Sequence, residues 1–221
     1  MNRDQKLLEE AYGAVCEGAR APFYSKTQQK EPLYFGKPEF KRYWRNYLGI
    51  YDFEVTEDGS VRINGDFSYY GGSKEDFSAN MDRLPFNFES VSGDFSITNC
   101  IKLGSLEGSP EFVPGSFVCD ACNLKTLKGA PRKVGKYFQC DTNELTSLEG
   151  APEHVGTNFW ANDNPIVSLE GAPEFIGGKI ALDNFSQEDY EKFIRDRRID
   201  KRVSKELDKD FEDVDDVLKD F

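Results

Sequence analysis

Histidine is almost missing from this 221-residue chain: His154 is the only one. No Ser or Cys stands at a catalytic spacing from it, so the residues give a nucleophile–base–carboxylate triad no support. No apolar run approaches the roughly 18 residues that span a bilayer. The opening MNRDQKLLEE has no apolar core of the kind a secretory signal needs, which makes intracellular residence the expectation. Cations are scarce as well: 28 Lys and Arg stand against 40 Asp and Glu, a net charge of −12. That balance argues against non-specific binding to nucleic acid phosphates, which needs clustered cations, and favours a basic partner. Five cysteines are an odd number in a chain long enough to fold without disulfides, so reduced thiols are expected. A phosphate-cradling glycine loop is lacking too, because Gly129, Gly150 and Gly171 recur at a fixed period and serve turns.

The charge is uneven. Residues 1–50 hold nine cations and six carboxylates, and the rest of the chain is net −15. In the first region, Leu7, Leu8, Ala11, Tyr12 and Val15 predict an amphipathic helix over 4–18, with Cys16 as a small core residue. A second helix is expected after Lys37, with Pro38 in its first turn. Lys37–Arg45 is the one basic aromatic patch, and its rings at helical spacing read better as core than as a nucleic acid contact. Residues 51–65 then read as two strands joined at Glu57-Asp58-Gly59, since Asp-Gly tolerates the positive φ of a hairpin turn.

What the sequence does have is repetition. FVCDACNLKTLKGAPRKVGK (117–136), FQCDTNELTSLEGAPEHVGT (138–157) and FWANDNPIVSLEGAPEFIGG (159–178) recur at a constant period of about 21 residues, within the range of short solenoid repeats. A looser copy with one extra residue, FSITNCIKLGSLEGSPEFVPG (95–115), precedes them, and a half copy, IALDN (180–184), follows. Gly65-Asp66-Phe67 resembles Gly93-Asp94-Phe95, so a degenerate copy with an insertion around 70–80 is expected to open the series. Units this short cannot bury a core alone, so stacking is expected. Phe95, Phe117, Phe138, Phe159 and Ile180, with Ile97, Cys119, Cys140, Ala161 and Leu182, give the inward face of one short strand per copy. Cys100, Cys122, Asn143 and Asn164 follow three positions later, at a slot where a buried Asn can bond the backbone of neighbouring copies.

The pattern Phe-x-apolar-x-x-Asn/Cys-x-Leu resembles the leucine-rich repeat in its shortest class, where a Pro-containing extended turn replaces the convex helix. The SLEGAPE wording and the DGSVRINGDF lead-in are similar to leucine-rich-repeat-like proteins of tailed bacteriophages. The resemblance covers about residues 50–185. It implies an α+β solenoid with parallel short strands, and a viral protein made in the host cytoplasm. The expected organisation is a helical cap (1–50), a hairpin and degenerate first copy (51–93), the repeat array (94–185) and C-terminal helices (186–221). In the last region, Ser186 and Asp189 read as a capping box opening a helix through about Arg198. Leu207, Phe211, Val214, Leu218 and Phe221 then form one stripe on an acidic amphipathic helix.

Stacked strands would set their outward side chains in columns on the concave face. One is Ser96, Val118, Gln139, Trp160, Ala181; the next is Thr98, Asp120, Asp141, Asn162, Asp183; a third is Asp94, Ser116, Tyr137, Asn158, Lys179. Aromatic anchors among carboxylates make a hot spot for a basic protein surface. The partner-binding residues assigned are therefore Trp160, Tyr137, Gln139, Asp120, Asp141, Asn162, Asp183 and Val118; cover by a C-terminal helix is the alternative for Trp160. Cys100, Cys119, Cys122 and Cys140 could bind zinc on paper, but each fills a slot that other copies fill with Ile, Ala, Leu or Asn, so packing explains them. No catalytic residue, metal or cofactor is assigned. The expected function is a non-enzymatic module that binds a host protein; inhibition of host defence is an expectation from the resemblance alone. Self-association as a structural phage component, or mimicry of DNA by the acidic tail, are the alternatives.

Overall fold

The computed structural model describes residues 52–71, 84 and 87–199. The two expected N-terminal helices, Cys16, the basic patch Lys37–Arg45 and the acidic tail 204–221 lie outside the described residues. What is described is an α+β arrangement of parallel strands in sheets, closed by one helix.

The hairpin comes first. Strands β1 (Phe53–Val55) and β2 (Val61–Ile63) pair antiparallel, and Gly59 takes φ +85° in the turn. Asp58 stabilises that turn by accepting from Ser60 N at 3.0 Å. β2 also pairs in parallel with β4 (Phe88–Val91), completing a three-stranded sheet.

A six-stranded parallel sheet then collects one strand from each copy. Its members are β3 (Phe67–Tyr70), β5 (Phe95–Thr98), β7 (Phe117–Val118), β9 (Phe138–Gln139), β11 (Phe159–Trp160) and β13 (Ile180–Ala181), in that spatial order. Phe67 is paired with Phe95, Phe95 with Phe117, Phe117 with Phe138, Phe138 with Phe159, and Phe159 with Ile180. The step along the chain is widest at the first pairing, shorter by several positions at the second, and constant from the third onward. The wide opening step falls where the sequence reading places an insertion.

A second parallel sheet was not expected. β6 (Phe112–Val113), β8 (Lys133–Val134), β10 (His154–Val155) and β12 (Phe175–Ile176) pair in register where the sequence reading places only extended turns. Each has only two members, too few for alternation to show. Yet Val113, Val134 and Val155 point inward and are fully buried.

The core lies between the two ladders. Phe95, Phe117, Phe138 and Phe159 stack face to face, with ring centroids 5.1, 5.3 and 5.3 Å apart and interplanar angles of 2°, 4° and 9°. Leucines 106, 127 and 148 complete the section, all fully buried. Such a repeat-like arrangement is compatible with stacked copies, each using its neighbours as interior.

Buried backbone must find partners, and the Asn slot supplies them. Asn143 Oδ1 accepts from Cys122 N and Leu124 N, both at 3.0 Å, while Nδ2 donates to the carbonyls of Cys119, Cys140 and Asp141 at 2.9–3.2 Å. Asn164 repeats this one copy later, accepting from Leu145 N and donating to Cys140, Ala161 and Asn162.

Helix α1 (187–199) closes the described residues through the expected capping box. Ser186 N donates to Asp189 Oδ2 at 2.8 Å, and Asp189 N donates back to Ser186 Oγ at 3.2 Å. α1 in turn satisfies the last copy's open backbone. Gln187 Oε1 accepts from Ile180 N, Tyr190 Oη donates to Pro173 O, and Arg197 and Arg198 donate to the carbonyls of Ala172 and Glu174. No helix among the described residues is long and apolar enough to cross a membrane.

Candidate protein-binding face

Period-two alternation sends every second strand side chain outward. Ser96, Val118, Gln139, Trp160 and Ala181 stand in one register row across β5, β7, β9, β11 and β13, all half-buried. The structure brings Trp160 against Tyr137, ring centroids 5.1 Å apart and tilted by 49°. These two belong to different columns of adjacent strands and meet along a diagonal, so they form one aromatic step, half-buried, rather than two separate exposed anchors.

The acidic column is a hydrogen-bonded ladder. Asp120 Oδ1 accepts from Asp141 N at 2.8 Å, Asp141 Oδ1 accepts from Asn162 N at 2.7 Å, and Asp183 Oδ2 accepts from Asp163 N at 2.7 Å. Each carboxylate thus serves an amide in the neighbouring copy, where the strands have ended and the chain turns. Those turns hold non-glycine residues in the left-handed region at Ala121, Thr142 and Asp163, with φ between 52° and 57°. Gln139 joins the column sideways: its Nε2 donates to Asp120 Oδ2 at 2.8 Å and to Asp141 Oδ2 at 3.0 Å. Asn162 Nδ2 adds a contact to Asp141 Oδ1 at 3.2 Å.

Partial burial pushes the Asp120 carboxyl up to about 6; the amide of Asp141 opposes this and the Asp141 charge adds to it. No cation among the described residues lies within ion-pair distance of Asp120 or Asp141. The face therefore carries two half-buried carboxylates, bridged by one neutral amide, beside an aromatic step.

The third column is less regular than expected. Asp94 accepts from Ser116 N at 2.7 Å and Asn158 Oδ1 from Lys179 N at 2.9 Å, but Ser116 itself is buried. Asp94 also meets Lys136 Nζ at 3.5 Å.

The cysteines behave as packing residues with a weak donor. Cys100, Cys119, Cys122 and Cys140 are free and buried. Cys119 donates to Gln139 O, Cys140 to Trp160 O, Cys122 to Asp120 O and Cys100 to Thr98 O. Burial raises the Cys119 and Cys140 thiols well above their ordinary range, which keeps them protonated. Among the described residues no group of three or more His, Cys, Asp or Glu side chains is placed to hold a metal ion.

Sequence reasoning missed the outward row of the second sheet. Phe112, Lys133, His154 and Phe175 are in register. Lys133 Nζ sits 5.8 Å from the Phe112 ring centroid, and His154 stacks on Phe175 at 4.4 Å. Phe112 and Phe175 are 48% and 47% exposed. The recurrence of these positions at the repeat period was the available signal. His154 is thus a strand residue in an aromatic row. Comparison of the chain with family models, with curated proteins and with solved structures finds no match.

Proposed function

We propose that the chain is a non-enzymatic protein-binding module: a leucine-rich-repeat-like solenoid whose six-stranded sheet forms a concave face for a basic protein surface. The observation that carries this reading is the Asp120–Gln139–Asp141 bridge, two half-buried carboxylates with no cation of their own among the described residues. A Lys or Arg from a partner supplies the missing charge, and Gln139 can turn aside to admit it. The Tyr137–Trp160 step beside it offers a broad, stiff apolar contact of the kind that dominates interfaces. Val118, Asn162 and Asp183 widen the same surface. Following the phage-like wording of its repeats, the proposed setting is the cytoplasm of an infected host, and the proposed action is steric obstruction of a host protein.

The test is an affinity pull-down from bacterial host lysate with wild type and Trp160→Ala as parallel baits. A single stoichiometric protein retained by wild type is expected, with the variant weaker by about 2 kcal/mol or more, roughly 30-fold. Because Trp160 packs on Tyr137, melting curves must accompany the titration. Binding lost only in proportion to stability would sink the assignment.

Acid should weaken the complex. Asp120 is raised in the free protein, so a cation from the partner would pull it back down and binding would release a proton. Affinity is then full above about pH 6 and falls as pH drops through that value, by about tenfold between pH 7.5 and 5 if the bound carboxyl titrates near 4. Calorimetry across that range, with Asp120→Asn as comparison, reads the effect. An equal pH response in the variant would remove Asp120 from the interface.

The outward row Phe112, Lys133, His154, Phe175, exposed at all but the half-buried His154, supports a second reading, self-association through the other sheet as a structural component. Light scattering over a concentration series separates the two.

A further inference from the structure

Helix α1 covers the last copy only in part. Between α1 and the outer edge of β12 lies an open groove of about 400 Å³, lined by Phe175, Ile176, Ile194 and Ile199 with Arg195 and Arg198 beside them. Its apolar surface is accessible: Phe175 is 47% and Ile199 52% exposed. β12 is also the terminal strand of its sheet, and no further strand pairs with it among the described residues. Apolar side chains gathered in one concave place, at a sheet end, call for cover.

We propose that the occupant is the chain's own C-terminal segment, residues 204–221, docked in cis on the groove between β12 and α1. Three observations select it. First, the groove contains Ile199, where the described residues end, and only residues 200–203 intervene before Ser204. A five-residue step spans at most about 17 Å, so the segment starts within reach of the groove and at high local concentration. Second, Leu207, Phe211, Val214, Leu218 and Phe221 recur at spacings of 4, 3, 4 and 3, a narrow apolar stripe that matches a narrow apolar slot. Third, the charges complement. Residues 204–221 carry eight carboxylates against three lysines, while the end of α1 offers Arg195, Arg197 and Arg198 against Asp196. Glu174 and Glu191 also line the groove. They favour an approach in which the acidic side of the segment lies toward the arginines and away from these two.

Cover of this kind accounts for an acidic helix-patterned tail without invoking a second binding function, and it is independent of the face proposed above. The test uses the full-length protein. In Phe211→Asp/Leu218→Asp the stripe is broken at two positions outside the described residues, so the sheets have no direct reason to fail; Glu212→Gln, on the polar side, is the control. Hydrogen exchange is followed by mass spectrometry in peptides from 172–199, and mass in solution by light scattering. Wild type and Glu212→Gln should show monomeric mass and exchange at least tenfold slower than the double variant at β12 and the last turns of α1. Equal exchange in all three proteins overturns the proposal. So does protection that appears only with a dimeric mass, because the occupant would then be the tail of a second copy.

Discussion

Asn143→Ala should lower folding stability by about 3 kcal/mol or more, since each buried backbone group left without a partner costs roughly 1–3 kcal/mol. The Asn143 side chain accepts from two amides and donates toward three carbonyls, all in a buried setting. Alanine takes their side-chain partner from Cys122 N, Leu124 N and Cys119 O, while Cys140 O keeps Asn164 Nδ2 and Asp141 O keeps Ala121 N. The chain provides its own comparison, because the equivalent slot holds Cys100 and Cys122 in earlier copies. Cys122 donates to the carbonyls of Asp120 and Ile97 at 3.2 and 3.5 Å, so a thiol recovers part of the donor side. Asn143→Cys is therefore expected to lose markedly less than Asn143→Ala in urea titrations. If the two variants unfold at the same midpoint, the ladder is not what the asparagine contributes.

Phe138→Ala carries the other large effect, a loss of about 3–5 kcal/mol by the usual cost of emptying a buried aromatic site. Its ring is fully buried and sandwiched between Phe117 and Phe159, both at 5.3 Å and nearly parallel to it. The cavity cannot collapse easily, because the neighbouring rings are held at the strand spacing by paired backbone on either side. Phe138→Leu refills part of the space but gives up both ring stacks, so it should cost less than the alanine change, about 1–3 kcal/mol. Thermal or urea unfolding of both variants checks the order; near-equal losses would mean that stacking geometry matters and volume does not.

The legible part of this fold was the part written in recurring identities. The repeat period places Phe117, Phe138 and Phe159 on one inward row, and the pairing register agrees residue by residue. The likeness of Asp66-Phe67 to Asp94-Phe95 points to a pairing across the insertion, and the sheet joins Phe67 to Phe95. Hairpin and capping box followed from local chemistry at Asp58-Gly59 and Ser186/Asp189. The second sheet was hidden because His154-Val155 and its equivalents give only one inward and one outward residue each, between Pro and Gly that signal turns. For the candidate face, the columns were readable but their internal bonding was not. A row of aspartates looks the same in sequence whether it is solvated or accepts the next copy's amides, as Asp120 and Asp141 do. The contact of Tyr137 with Trp160 joins two different columns, off the repeat period, so no periodicity announces it.

The unequal steps between paired strands, wide at Phe67–Phe95 and uniform from Phe117 onward, carry one more consequence. Within this sheet the extra residues fall between strands and each pairing stays in register, whereas the three-stranded sheet takes its irregularity inside a strand pair, between Val61 and Arg62. From Phe117 to Ile180 the sheet is thus graduated like a ruler, one division per strand. Its length along that stretch follows the count of strands, at about 4.8 Å for each.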